Sequence, residues 1–184
     1  QVRDMVREFA RAEVAPVAKD LDRTSEFLWD NVAKMGPLGL LGVPWPEELG
    51  GAGMDQLSYY IVLHELAKVD ASHALTISAH TNLGTSPIMD FGTKAQRERY
   101  VPLLASGKVL GGFFSVTART SPGSGHRGIT SFIVTKDTVD LARCRTLGVG
   151  HAEDLPKTKG VRAGKKEEKM GWRASDTREL ILED

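Results

Sequence analysis

Few residues in this chain have both the type and the spacing for chemistry. His64 and Glu65 stand side by side in an apolar stretch. A zinc-binding His-Glu-x-x-His pair needs its second histidine one helical turn later. Lys68 occupies that position, so the metal reading fails and a satisfied core or boundary histidine is expected. Cys144 and His151 could both ligate a soft metal, but two ligands without a third or fourth do not close a zinc site. Gly50, Gly51 and Gly53 form a run that cradles phosphate when a strand leads in and a helix leads out. Helical patterns flank it on both sides, so a tight interhelical turn is expected instead. A second Gly-rich run, Ser121 to Gly128, lacks the helix N-terminus that would favour an anion.

The elements that must position any site follow from periodicity. Val2, Met5, Val6, Phe9 and Ala12 form one helical face, with Arg3, Asp4, Arg7 and Glu8 opposite. Pro16 is expected to end or kink that helix. Ser25 is expected to cap a second helix carrying Leu28, Val32 and Met35, and Gly36 to stop it in a left-handed turn. From Leu57 to Val69 apolar residues occur nearly all round, which predicts a helix buried on most sides. Asp70 and Ser72 offer caps for a helix reaching about Gly84, with Leu75, Ala79 and Leu83 on one face. Core packing accounts for that face; an apolar pocket wall is the sharper reading, with small Ala79 leaving room. Pro87 follows a polar turn. Thr93 and Gln96 make a capping box for a helix closed by Gly107.

Near Gly111 the pattern changes. Phe113 to Thr117, the β-branched run Ile129 to Thr135, Val161 to Lys166 and Glu179 to Glu183 read as strands. Lys169 to Asp184 reads as a Gly-Trp turn feeding the last of them. Helices followed by strands indicate an α+β chain, an all-α helical N-terminal domain over residues 1–111 and then a truncated β-domain over residues 112–184. Val139 to Lys159 fits neither half and reads as a solvent-exposed insertion.

Composition narrows the function classes. The 184 residues are 41% hydrophobic and 26% charged, with 24 basic and 24 acidic side chains. Zero net charge gives no field favouring nucleic acid or an anionic membrane surface. The single cysteine, Cys144, excludes an intrachain disulfide. No apolar run approaches the ~20 residues of a membrane span. Gln1 opens inside a helical pattern, so a longer natural chain is expected.

Three stretches carry a family resemblance: Ala79 to Phe113, Gly125 to Thr138 and Gly160 to Asp184. The first, with its Phe-Gly-Thr turn, Gln-bearing helix and Leu-Ala-Ser-Gly ending, resembles the end of the helical domain of the acyl-CoA dehydrogenases. The other two look like consecutive pieces of that family's middle β-domain. The loop PWPEELGGAGMD is similar to the family's early interhelical loop.

The resemblance implies a soluble FAD-dependent oxidoreductase of fatty acid metabolism that converts an acyl-CoA to trans-2-enoyl-CoA. It implies electron-transfer flavoprotein as acceptor and a homotetramer as the complete assembly. It also implies the cytoplasm of a bacterium or the mitochondrial matrix of a eukaryote. Phe114, Val116 and Thr117 match the start of the flavin-binding stretch; Leu75, Ala79 and Leu83 match positions lining the acyl pocket. The pattern then departs from the family. Thr117 runs straight into Ala118-Arg119-Thr120, where the family has an acidic Gly-rich flavin loop and further strands. The family's C-terminal helical bundle, with its catalytic glutamate, has no counterpart, so no catalytic residue is assigned. Glu65, Glu98 and Glu179 lie on stretches the family uses structurally. The alternative reading is a catalytically inactive truncated or rearranged family member acting as an interaction module. A third is a phosphate binder at the Ser121 to Gly128 loop.

Overall fold

The computed structural model describes residues 1–107, 113–135 and 158–183. The boundary expected at residues 111 and 112, Cys144, His151 and all but the end of the 139–159 segment lie outside the described residues.

Helix α1 spans Val2–Phe9 and buries Val6 and Phe9, as its apolar face requires. Pro16 does not end it. A π-helical turn, Ala10–Val14, leads into α2, Ala15–Thr24, with Pro16 in the first turn of α2. Proline lacks an N–H and its ring crowds the carbonyl four residues back. A widened turn just before the proline relieves that crowding, so the helix continues. Ser25 does not cap the next helix. It ends α2 in the left-handed region with φ 58°, and α3, Trp29–Met35, starts after Leu28 without a side-chain cap. Gly36 is right-handed rather than left-handed. Its role is close approach, since a Cβ there would lie 2.8 Å from the Ser106 carbonyl.

The loop after α3 is ordered by its own amides. Ala52, Gly53 and Met54 donate to the carbonyls of Gly42, Trp45 and Val43 at 2.8 to 3.0 Å. A Cβ on Gly51 would sit 2.1 Å from the Trp45 carbonyl, so only glycine fits that crossing. With its amides already donated inward, the loop is a tight turn and not a phosphate cradle.

Helix α4, Gln56–Ala67, starts at Asp55, which accepts the Ser58 amide at 2.7 Å. It buries Tyr59, Val62, Glu65 and Leu66, but Leu57 and Tyr60 are 66% and 60% exposed. The apolar-all-round pattern therefore overstates burial: α4 packs on α1 and on α5, Ala71–Ser78, and leaves one side open. His64 is exposed rather than in the core. Asp70 caps α5 by accepting the His73 amide at 3.0 Å. The helix does not stop near Gly84. It passes through a second π-helical segment, Ala79–Thr85, into α6, Ser86–Phe91, with Pro87 in its first turn. The polar turn expected before Pro87 is thus helical. The Thr93–Gln96 capping box opens α7, Lys94–Ala105, and Gly107 closes it at φ +72°.

Strand β1, Phe113–Arg119, pairs antiparallel with β2, Ile129–Thr135, from Phe113 opposite Thr135 to Arg119 opposite Ile129. Strand β3, Val161–Lys166, pairs antiparallel with β4, Arg178–Leu182, with an irregularity between Ala163 and Lys166. Helices followed by strands make the chain α+β. The helical part touches both sheets. Ile133 of β2 packs on the buried cluster of Trp45, Ile88, Val101 and Leu104. Ala174, between β3 and β4, is buried as part of the main helical core cluster, which also holds Val6, Met35 and Leu66. The Arg173 amide donates to Asp22 Oδ1 at 3.1 Å, and Lys166 Nζ donates to the Ser25 carbonyl.

Candidate functional site

A cleft of about 470 Å³ lies where these contacts leave the helices and the sheets apart. Its helical wall is Thr76 of α5, Ala79, His80, Leu83 and Gly84 of the second π-helical segment, and Leu104 of α7. Phe27 and Trp29 add an aromatic side, edge to face with centroids 4.8 Å apart. The strand wall is Ser115 and Val116 of β1, Ala163 of β3 and Leu180 of β4. Ser175, Asp176, Arg178 and Glu179 form a polar rim.

The helical wall owes its shape to Pro87. The wall's amides donate five residues back, Ser86 to the Thr81 carbonyl, and Pro87 has none to give the next carbonyl, that of Asn82. Side chains brace the wall further. Thr85 Oγ1 donates to the His80 carbonyl at 3.0 Å, and Ser115 Oγ donates to the Leu83 carbonyl at 3.3 Å. His80 Nε2 is 3.0 Å from the Leu104 carbonyl. A carbonyl only accepts, so Nε2 carries the hydrogen and Nδ1 does not. Burial pushes His80 down to about 4, and the bond to Leu104 opposes this only in part. His80 is therefore neutral near pH 7 and acts as a brace.

The three carboxylates singled out from the sequence differ in placement. Glu65 is buried on α4 and accepts Arg7 Nε and Lys68 Nζ, each at 3.0 Å. Those bonds, from Arg7 first and Lys68 second, hold it down at about 2. Glu98 is exposed and 3.7 Å from Lys94. Glu179 reaches the cleft but is exposed, without the dry surroundings that raise a carboxylate's basicity. On the rim, Arg178 Nε donates to both oxygens of Asp176 at 2.9 and 3.0 Å.

Strand β1 has one edge paired to β2 and, among the described residues, no strand on the other. The Thr120 amide donates to the Gly128 carbonyl at 2.8 Å. Backbone groups alternate sides along a strand, so those of Val116 and Ala118 face β2, and those of Ser115 and Thr117 face the open edge. An open edge with an exposed threonine hydroxyl, next to an apolar cleft, suits a flat ring that needs backbone and hydroxyl partners along one side. The residues present thus fit a flavin at this edge.

Of the residues singled out from the sequence, Ala79, Leu83 and Val116 meet in the cleft. Thr117 lies one residue further along β1, exposed. Phe114 lies on β1 opposite Val134. Leu75 lies on α5, half-buried, one turn before Ala79, and is not among the cleft's lining residues. Sequence reasoning passed over His80, Ser115, Phe27 and Trp29. Pro87, with no amide to give the turn before it, was the readable hint of an irregular wall.

Comparisons with known proteins identify the family. The sequence model described as the N-terminal domain of acyl-CoA dehydrogenase matches residues 1–108. The short-chain specific acyl-CoA dehydrogenase of Clostridium acetobutylicum is 37% identical over 205 residues, covering 100% of this chain and 54% of that protein. The structure of butyryl-CoA dehydrogenase from Megasphaera elsdenii matches with a TM-score of 0.80 at 26% identity, covering 100% of this chain and 55% of that one. A chain from the structure of the electron transferring flavoprotein of Acidaminococcus fermentans matches with a TM-score of 0.83 at 29% identity, covering 100% and 54%. The chain spans about half the length of the curated relatives it matches.

Proposed function

The chain belongs to the acyl-CoA dehydrogenase family, and from that premise we propose that the protein carrying it oxidises a short acyl-CoA thioester to the trans-2-enoyl-CoA with bound FAD. The observation that supports this reading is an adjacency: an apolar cleft bearing Ala79, Leu83 and Val116 lies beside the open edge of β1 at Thr117. The named relatives support a short acyl chain, being short-chain specific and butyryl-CoA enzymes.

When bound, FAD supplies the acceptor for the hydride leaving Cβ of the substrate. Ala79, Leu83 and Val116 would exclude water from the acyl chain, with Leu75 assigned to the same wall one turn earlier. The open backbone groups at Thr117, its hydroxyl, and the strand at Phe114 and Val116 would hold the ring edge. Exclusion of water strengthens the hydrogen bonds that polarise the thioester as Cα loses its proton. No carboxylate of this chain is assigned that proton; the reading gives it to a glutamate outside these residues.

The reading divides the chain into a helical domain, 1–111, and part of a β-domain, 112–184. It names electron-transfer flavoprotein as acceptor, supported by the similar chain in a flavoprotein structure, and a homotetramer as the complete assembly. Assay of the full-length protein with an artificial electron acceptor and acyl-CoAs of increasing length tests it. Activity highest with butyryl-CoA is expected; no turnover at any length would overturn the reading.

A further inference from the structure

We propose that Ser115 is a positioning residue that ties the π-helical wall of the cleft to β1 and so sets the distance between the acyl-chain wall and the flavin edge. The inference rests on the functional reading above. Its physical basis is a bond from the strand to the backbone of this wall, beside the point where Pro87 brings no amide to the helix. Ser115 Oγ donates to the Leu83 carbonyl at 3.3 Å, from a residue 32 positions away in the sequence. The other two braces of this wall, Thr85 to His80 and His80 to Leu104, stay within the helical part. The Ser115 bond crosses to the strand.

Ser115 and Thr117 share one face of β1, about 7 Å apart along the strand. Whatever fixes Leu83 to Ser115 therefore also fixes it relative to the edge at Thr117. Leu83 is 70% exposed, so packing alone does little to hold it. Hydride transfer is steep in this distance: a misplacement of about 1 Å can cost on the order of 100-fold in rate. A serine at 115 thus does what an alanine or valine cannot. It donates to the Leu83 carbonyl, and it registers the two halves of the site.

The test compares Ser115→Thr with Ser115→Val in the full-length protein. The two side chains have nearly the same shape and both suit a strand, and only the threonine keeps the hydroxyl. Two readouts are taken: amide hydrogen exchange over residues 79–88, and the rate of flavin reduction by saturating butyryl-CoA. Ser115→Val is expected to speed exchange in 79–88 about 2- to 10-fold, the range for one lost hydrogen bond, while peptides from α4 stay unchanged. It is expected to slow flavin reduction about tenfold at unchanged FAD content, within the steepness that orientation allows. Ser115→Thr should restore both. Unchanged exchange in 79–88 would overturn the tie, and unchanged flavin reduction despite faster exchange would overturn the positioning role. A wild-type protein that no acyl-CoA reduces overturns the functional reading and the positioning role together. Failure in the variants alone, beside an active wild type, overturns only the role of Ser115.

Discussion

At the scale of single residues, Glu65 has the sharpest consequence. Arg7 and Lys68 hold it at about 2 against an ordinary 4.5. Its folded value is depressed, so the stabilisation is fully present above pH 4.5 and is lost as the pH falls from there towards 2. Glu65→Gln is therefore expected to lower Tm at pH 7 and to lose less Tm than the wild type between pH 4.5 and 2, read by thermal melting across pH. Parallel acid limbs for the two proteins would contradict this. The sequence could not single out Glu65. Its partner Arg7 lies 58 residues away, on the face of α1 that periodicity assigns to solvent. His64, which looked like the more interesting neighbour, is exposed. A type-and-spacing reading cannot tell which member of an adjacent pair turns inward when a helix is apolar nearly all round.

At the scale of elements, local chemistry was legible wherever it acts within a few residues. The run Ile129–Thr135 forms β2 with the bounds its β-branched composition indicates. The capping box at Thr93 and Gln96 closes both ways, at 3.3 Å and 2.8 Å. Thr93→Ala should cost about 1 kcal/mol, the usual value for a lost N-cap, measured by urea unfolding, whereas Thr93→Ser should stay close to wild type. Equal losses for both variants would mean that the cap does not stabilise α7. The two prolines misled for one shared reason. Pro16 read as an end or a kink and Pro87 as following a polar turn, yet each sits in the first turn of a helical segment that follows a π-helical one. Whether a helix breaks or widens at proline depends on what can serve the released carbonyls. Side chains from elsewhere brace both segments: Asn31 Nδ2 donates to the Glu13 carbonyl at 3.1 Å in the first, and Ser115 Oγ donates to the Leu83 carbonyl in the second.

For the molecule as a whole, the order of helices and strands could be read directly, but the cleft could not. Phe27, Ala79, Val116 and Leu180 come from four separate regions of the chain and meet only through tertiary packing. Ala174 and the bonds from Arg173 and Lys166 draw the β3–β4 sheet onto the helices, and Ile133 does so for β2. The cleft is the space those contacts leave. Among the described residues no helix is long and apolar enough to cross a membrane. Under the proposed function, this space and the open edge of β1 belong to a flavin dehydrogenase. Anaerobic titration of the purified full-length protein with butyryl-CoA, followed by visible absorption, tests it most directly. A yellow protein whose flavin band bleaches as butyryl-CoA is added, with crotonyl-CoA as product, is expected. A colourless protein that takes up no FAD, or a flavin band unmoved by any acyl-CoA, would contradict it and would favour an inactive family member.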